Sequence, residues 1–328
     1  MTTALPATAA PATGRPPRGP RGLTWTVLRL HRSALIVWAV VVLGGAAVLL
    51  WAYGPGADAA QAEWDRVCAG REACVWGDPI HDYDRLFRAA GLGLNWLPVL
   101  VAAWAGAALV GRDMENGTAR LAWTQGITPV RWLAAKLAVP ALPVAVGMTV
   151  LVLLHRLVSD AHPLSLGKWS WYTEDNFQAN GTVAIAAPLL ALAVGALAGL
   201  LLRRALPALV AALVATGALE ELATVASRNL VPWETATGTG YQSPDHVIVQ
   251  GPQGALTSTG ARVPNPMCGD DGGTCLAAHD IVGYYTHYHP ASHFWPLHLV
   301  ETGLLLGAAA LATAAAFCLL HRRTGAAV

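Results

Sequence analysis

The chain has 328 residues, 54% of them hydrophobic and 12% charged, with a mean hydropathy of +0.44; an average soluble domain is roughly 25% charged. That balance argues against a water-soluble enzyme or a nucleic-acid-binding module and points to lipid as the solvent. The formal net charge of +1 carries no message until the charges are sorted by position.

Residues 1–21 are rich in Ala, Pro and Arg without apolar periodicity, so a disordered tail is expected, with residues 22–328 as one membrane domain. Over Gly22–Ser33, Leu23, Val27 and Leu30 form a helical stripe, although Trp25 and Leu28 fall off it. This predicts an amphipathic helix on the inner membrane surface; an unstructured basic flank is the alternative. Apolar runs near the ~20 residues needed to cross a bilayer follow at Ala34–Tyr53, Gly91–Gly111, Leu133–Leu157, Thr182–Leu202, Ala205–Ala226 and Trp295–Leu320. The first is too long for a signal-peptide core and is expected to stay attached as a span. Arg203 and Arg204 divide the fourth run from the fifth, because one continuous helix would bury both at ~3 kcal/mol each. The expected fold is an all-α integral membrane protein with six transmembrane helices and two large extracellular loops, 57–90 and 227–294. Turn signals such as Gly251-Pro252 and Gly272-Gly273 suit short strands within the second loop.

Basic residues set the orientation. With the amino end inside, the inner segments hold thirteen of the 21 Lys and Arg residues and only Asp113 and Glu115 of the 20 acidic ones. Both termini are then cytosolic and the plasma membrane is the expected location. Cys68, Cys74, Cys268 and Cys275 fall in the outer loops, an even set suited to an oxidising exterior. Sequence leaves three connectivities open, of which the two local pairs are preferred; neither pair has zinc-site spacing.

Arg112–Lys136, between the second and third spans, has the sharpest local signals. Asn116, Gly117 and Thr118 can start a short helix that stops at Gly126, and Thr128 caps a second with Pro129 in its first turn. The result is a partly basic knob carrying Arg112, Glu115, Gly117, Thr118, Arg120, Trp123 and Gln125, joined rigidly to the third span. This run resembles the inner loop of permeases of ATP-binding-cassette transporters of the second, exporter-like type, particularly those of actinobacteria, on Glu115, Gly117-Thr118, Leu121, Thr128 and Lys136-Leu137. The fourth, fifth and sixth spans are similar to the same group. The resemblance implies a non-catalytic subunit whose coupling helix docks into a separate cytosolic ATPase, and which forms half of an export pathway with a second permease copy, homodimeric or paralogous. The chain has no GxxxxGK[ST] loop that could cradle ATP phosphates; Leu164–Lys168 superficially matches an ATPase signature but falls in an outer loop.

Ionisable residues within spans mark functional sites by default, so Glu220, Glu221 and Glu301 are candidates for the pathway or its outer gate, with Arg228 a possible partner of Glu301. A plain interfacial role is the competing explanation. Gly195 and Gly199 on the fourth span form a GxxxG pattern that lets helices approach closely, more naturally within the subunit than between subunits. His279, His287, His289, His293 and His298 cluster near the last span, interleaved with aromatics; lacking a carboxylate at motif spacing, they are not assigned a metal, and no cofactor is expected. A stand-alone membrane immunity or sensor protein, binding a ligand through its outer loops, is the alternative to transport.

Overall fold

The computed structural model describes residues 22–71, 74–161, 174–239, 247–266, 268 and 272–325; the 1–21 tail and Leu164–Lys168 lie outside the described residues. In chain order the helices are α1 (Leu23–Leu30), α2 (Arg32–Tyr53), α3 (Pro55–Val67) and α4 (Asp78–Trp104), then a π-helical stretch, Ala105–Gly111. After it come α5 (Arg112–Glu115), α6 (Thr118–Thr124), α7 (Pro129–Ala161), α8 (Glu174–Phe177), α9 (Val183–Leu202), α10 (Ala205–Leu230), α11 (Gly272–Ala278) and α12 (Phe294–Gly325). Among the described residues, six helices are long and apolar enough to cross a membrane: Arg32–Val67, Asp78–Glu115, Pro129–Ala161, Val183–Leu202, Ala205–Leu230 and Ala291–Gly325. Each covers one apolar run of the sequence to within a residue, so the chain is a multi-pass membrane protein.

The helices overrun the apolar runs where a stripe continues. Ile80, Tyr83, Phe87, Gly91 and Leu94 are buried at helical spacing, so α4 begins thirteen residues before its apolar run, an extension of about 20 Å at 1.5 Å per residue. The 57–90 segment is therefore largely helix. The 227–294 segment instead carries a four-stranded antiparallel sheet of order β1-β4-β2-β3, formed by β1 (Glu234–Gly238), β2 (Val247–Thr257), β3 (Arg262–Val263) and β4 (Ile281–Pro290). Its register places Tyr288 of β4 between Glu234 of β1 and Gln250 of β2. Helices dominate, as an all-α membrane fold requires, and the sheet is the one departure among the described residues.

α9 is the central span and packs against the second, third, fifth and sixth spans. Small residues make that possible: a Cβ on Gly195 would lie 2.7 Å from the Ala105 side chain, and one on Gly199 would lie 2.9 Å from the Gly111 nitrogen. The GxxxG stripe therefore seats the π stretch within the subunit. α2 is peripheral, with Ile36, Val37, Val40 and Leu43 all more than half exposed, the expected state of side chains that meet lipid. Cys68 pairs with Cys74 and Cys268 with Cys275, at Cα separations of 5.1 and 5.8 Å.

Candidate functional site

Two polar constellations sit at opposite ends of the bundle. At the elbow formed by α5, α6 and the start of α7, the organising residue is Lys136, which is 2% exposed. Its ammonium lies 2.7 Å from the Asp113 carboxylate on α5. It also donates to the Leu109 carbonyl oxygen at 2.8 Å and approaches His31 Nε2 at 3.3 Å. Three protons thus meet three acceptors, which is all an ammonium can satisfy. A π turn loosens the regular helical ladder, and Leu109 lies inside one. His31 stands at the α1–α2 junction; burial first, and the Lys136 cation second, hold its imidazole down at about 4, so it is neutral and can accept. One lysine on α7 therefore ties together the ends of the first and second spans and the stem of the elbow.

Glycine shapes the elbow. Gly117 and Gly126 bracket α6 with φ of 71° and 86°, the left-handed region that other residues enter only at a cost. Thr128 Oγ1 accepts from the Arg131 N–H at 3.4 Å, a long N-cap contact that starts α7. Of the seven residues singled out in this loop, Arg112, Glu115, Thr118, Arg120 and Gln125 are exposed, and Gly117 and Trp123 are half-buried. Two of them nonetheless make contacts with the bundle. Glu115 Oε2 accepts from the Ala205 N–H at 2.9 Å, placing a carboxylate at the amino end of α10, where the helix dipole favours it. Trp123 packs edge-on against Trp132 at 5.8 Å between ring centroids. Leu121, not singled out as a site residue from the sequence, is 59% exposed beside Arg120 on α6.

At the sheet end, Glu301 of α12 is 3% exposed. Thr224 Oγ1 donates to its Oε1 at 2.7 Å and Ser227 Oγ lies 3.2 Å from its Oε2. The carboxylate is thus held by α10 hydroxyls. Glu220, one turn earlier on α10, comes close: both acids line a cavity of about 40 Å³ with Asn95, Gln178 and Thr224. That is room for one or two waters. Glu220 Oε1 is buried without a hydrogen-bond partner among the described residues. Glu221 is not part of this group; it lies on the exposed face of α10, roughly 100° around the helix from Glu220.

The histidines divide. His298 is buried, with Nε2 3.0 Å from the Phe177 carbonyl oxygen. His155 of α7, not singled out in the sequence, is equally buried against Asn180 Oδ1 at 2.9 Å. His289 ends β4 with Nε2 3.1 Å from the Arg228 carbonyl oxygen and Nδ1 3.1 Å from His293 Nδ1. A carbonyl can only accept, so His289 carries its proton on Nε2 and His293 donates from Nδ1. Burial is the main reason the His289 imidazole is held below its usual range. His293 Nε2 faces Glu234 at 3.7 Å, and His287 pairs with Thr235 at 2.9 Å. No group of three or more metal-ligating side chains occurs among the described residues.

A family model described as ABC-2 membrane transporter related matches residues 35–228, more than half of the chain. The chain belongs to that family. It is therefore a permease-type transport component of an ATP-binding-cassette system, a kind of subunit that is generally non-catalytic, and membership implies an ATP-binding-cassette ATPase as partner and the bilayer as surroundings. The matched stretch runs from the start of the first span to the end of the fifth and takes in the whole elbow. The sheet and the last span of the permease lie beyond it. No curated protein matches the permease, and no solved structure does.

Proposed function

We propose that this permease forms half of an export pathway in the plasma membrane, with both termini and the elbow in the cytosol, and that α6 is the coupling helix docked in a cleft of the ATPase. The single observation that carries this is Lys136: the stem of an exposed helix is bolted to the first, second and third spans by one satisfied, buried charge. Movement imposed on α6 is transmitted to all three rather than absorbed by a loop. Arg120, Leu121 and Gln125 offer the ATPase a cation, an apolar knob and an amide on one short helix, with Arg112, Gly117 and Thr118 framing it. Glu115 and Trp123 position the helix from beneath. The concentration of basic residues at this end supports the orientation, and the two cysteine pairs then lie in an oxidising exterior.

The Glu220–Glu301 cavity stands near the opposite, outer end of the second, fourth, fifth and sixth spans, where it serves as a polar station of the outer gate. α1 rests on the inner membrane surface, with Val27 packed inward and Trp25 outward. A second permease copy completes the pathway. The deciding experiment is affinity purification of the tagged chain from its native membrane with identification of its partners. Recovery of an ATP-binding-cassette ATPase whose hydrolysis depends on Leu121 supports the proposal. Recovery of the chain without any ATPase, together with ligand binding to the sheet alone, supports a membrane sensor instead.

A further inference from the structure

Beside the Lys136 node, a cleft of about 520 Å³ opens between the first, second and third spans, within the 300–1,000 Å³ range of ligand sites. Its walls are apolar, formed by Val37, Val41, Leu97, Leu100, Pro140 and Val144, and only its elbow-side end is polar, with His31, Ser33, Arg112 and Asp113. Val37 and Leu100 are 62% and 61% exposed, so the cleft is open sideways along the surface that faces lipid. Trp38 limits it on the α7 side by donating from its indole nitrogen to the Pro143 carbonyl oxygen at 2.9 Å.

Depth and charge together identify an occupant. The lining runs from Ser33 to Val41 on the first span and from Leu97 to Asp113 on the second, roughly 12 and 24 Å at 1.5 Å per residue. One leaflet has about 15 Å of hydrocarbon and about 20–22 Å including its headgroups, so the cleft is one leaflet deep, with its polar end at headgroup level. At that end Asp113 is neutralised by Lys136 and His31 is held neutral. Arg112 is exposed and has no ion-pair partner among the described residues, and exposed Arg29 and Arg32 flank the α1–α2 junction. The rim is therefore cationic above an apolar trough.

We infer that this cleft is a binding site for one anionic phospholipid drawn from the leaflet on the elbow side. Its phosphate meets Arg112 at the rim and one acyl chain lies along Val37, Leu100 and Val144. The inference goes beyond the transport reading and holds whatever the cargo is. It is tested on the full-length protein in detergent, alone or with any ATPase that co-purifies, by native mass spectrometry during titration with phosphatidylglycerol or phosphatidylcholine. The expected result is one phosphatidylglycerol per chain, retained at least tenfold better than phosphatidylcholine. Arg112→Gln removes the preference, Arg112→Lys keeps it, and Ala108→Phe, which fills the cleft, removes both lipids. Should Ala108→Phe not fold, Ala34→Phe blocks the same space from the first span. Equal retention of the two lipids, or an unchanged preference in Arg112→Gln, overturns the inference. So does efficient cross-linking of Val37→Cys chains into dimers that retain no lipid, which gives the cleft to a second copy.

Discussion

The elbow end and the sheet end of the bundle both bury charge, but they satisfy it differently. Lys136 has an acceptor for each of its three protons, one of them a carboxylate at contact distance, whereas the Glu220–Glu301 pair places two carboxyl groups around a water-sized cavity and leaves one oxygen without a partner among the described residues. A saturated node is rigid, since any displacement breaks several contacts together. An unsaturated one can exchange water or protons at little cost. Under the proposed function, the contrast puts rigidity where the ATPase would push and adjustability at the outer gate.

Breaking the node should have the largest effect. Lys136→Met strands Asp113 and should cost about 3–5 kcal/mol, the usual penalty for removing one partner of a buried pair, read as a loss of thermal stability in detergent. Adding Asp113→Asn should recover part of that loss, because the two sites are coupled. The next effect concerns transmission rather than stability: Leu121→Asp should leave protein level and melting temperature near normal while abolishing permease-dependent ATP hydrolysis. Normal coupling in that variant would remove α6 from the ATPase interface. At the other end, Glu301→Gln converts a carboxylate held by two hydroxyls into an amide and should slow transport roughly tenfold, the kinetic equivalent of one charge-assisted hydrogen bond, at normal protein level. Glu220→Gln should do less, since no described protein donor is lost.

The smallest effect is a pH dependence at the sheet end. Burial holds the folded-state pKa of His289 below the ordinary histidine value of 6.5, so the folded protein resists a proton that the unfolded chain accepts. Its contribution to stability is therefore complete above 6.5 and is lost as pH falls from there through the folded value. Protonation would also place a hydrogen on His289 Nδ1, where His293 now donates. Melting temperature should fall between neutral pH and pH 5, and His289→Gln should flatten that slope.

The spans were legible because length and composition alone determine whether a helix can cross a bilayer. Their ends were less so: the α4 extension depends on Ile80, Tyr83 and Phe87 at helical spacing amid charged residues, a weaker signal than an unbroken apolar run. The sheet was hard to read because β2 and β4 are irregular, with register shifts between Gln250 and Gln253 and between Leu256 and Thr257, which break the period-two alternation that marks a strand. In the sites, Glu220 and Glu221 look equivalent in sequence, and only the turn of α10 separates the one facing Glu301 from the one facing outward. Lys136 stood in plain view as part of the Lys-Leu pair, yet its role depends on acceptors 27 and 105 residues away. The π stretch that places Leu109 within its reach carries no sequence signature.

The β2–β3 hairpin has a practical consequence for anyone who wishes to see this molecule on living cells. Its tip, residues 258–261, is exposed and is closed by the Thr257 backbone bonding to Ala261 and Gly260, away from both charged constellations. A short epitope grafted between Thr259 and Gly260 would therefore act as a flag at the far end from α6, and antibody staining of intact cells would report which way the chain is threaded.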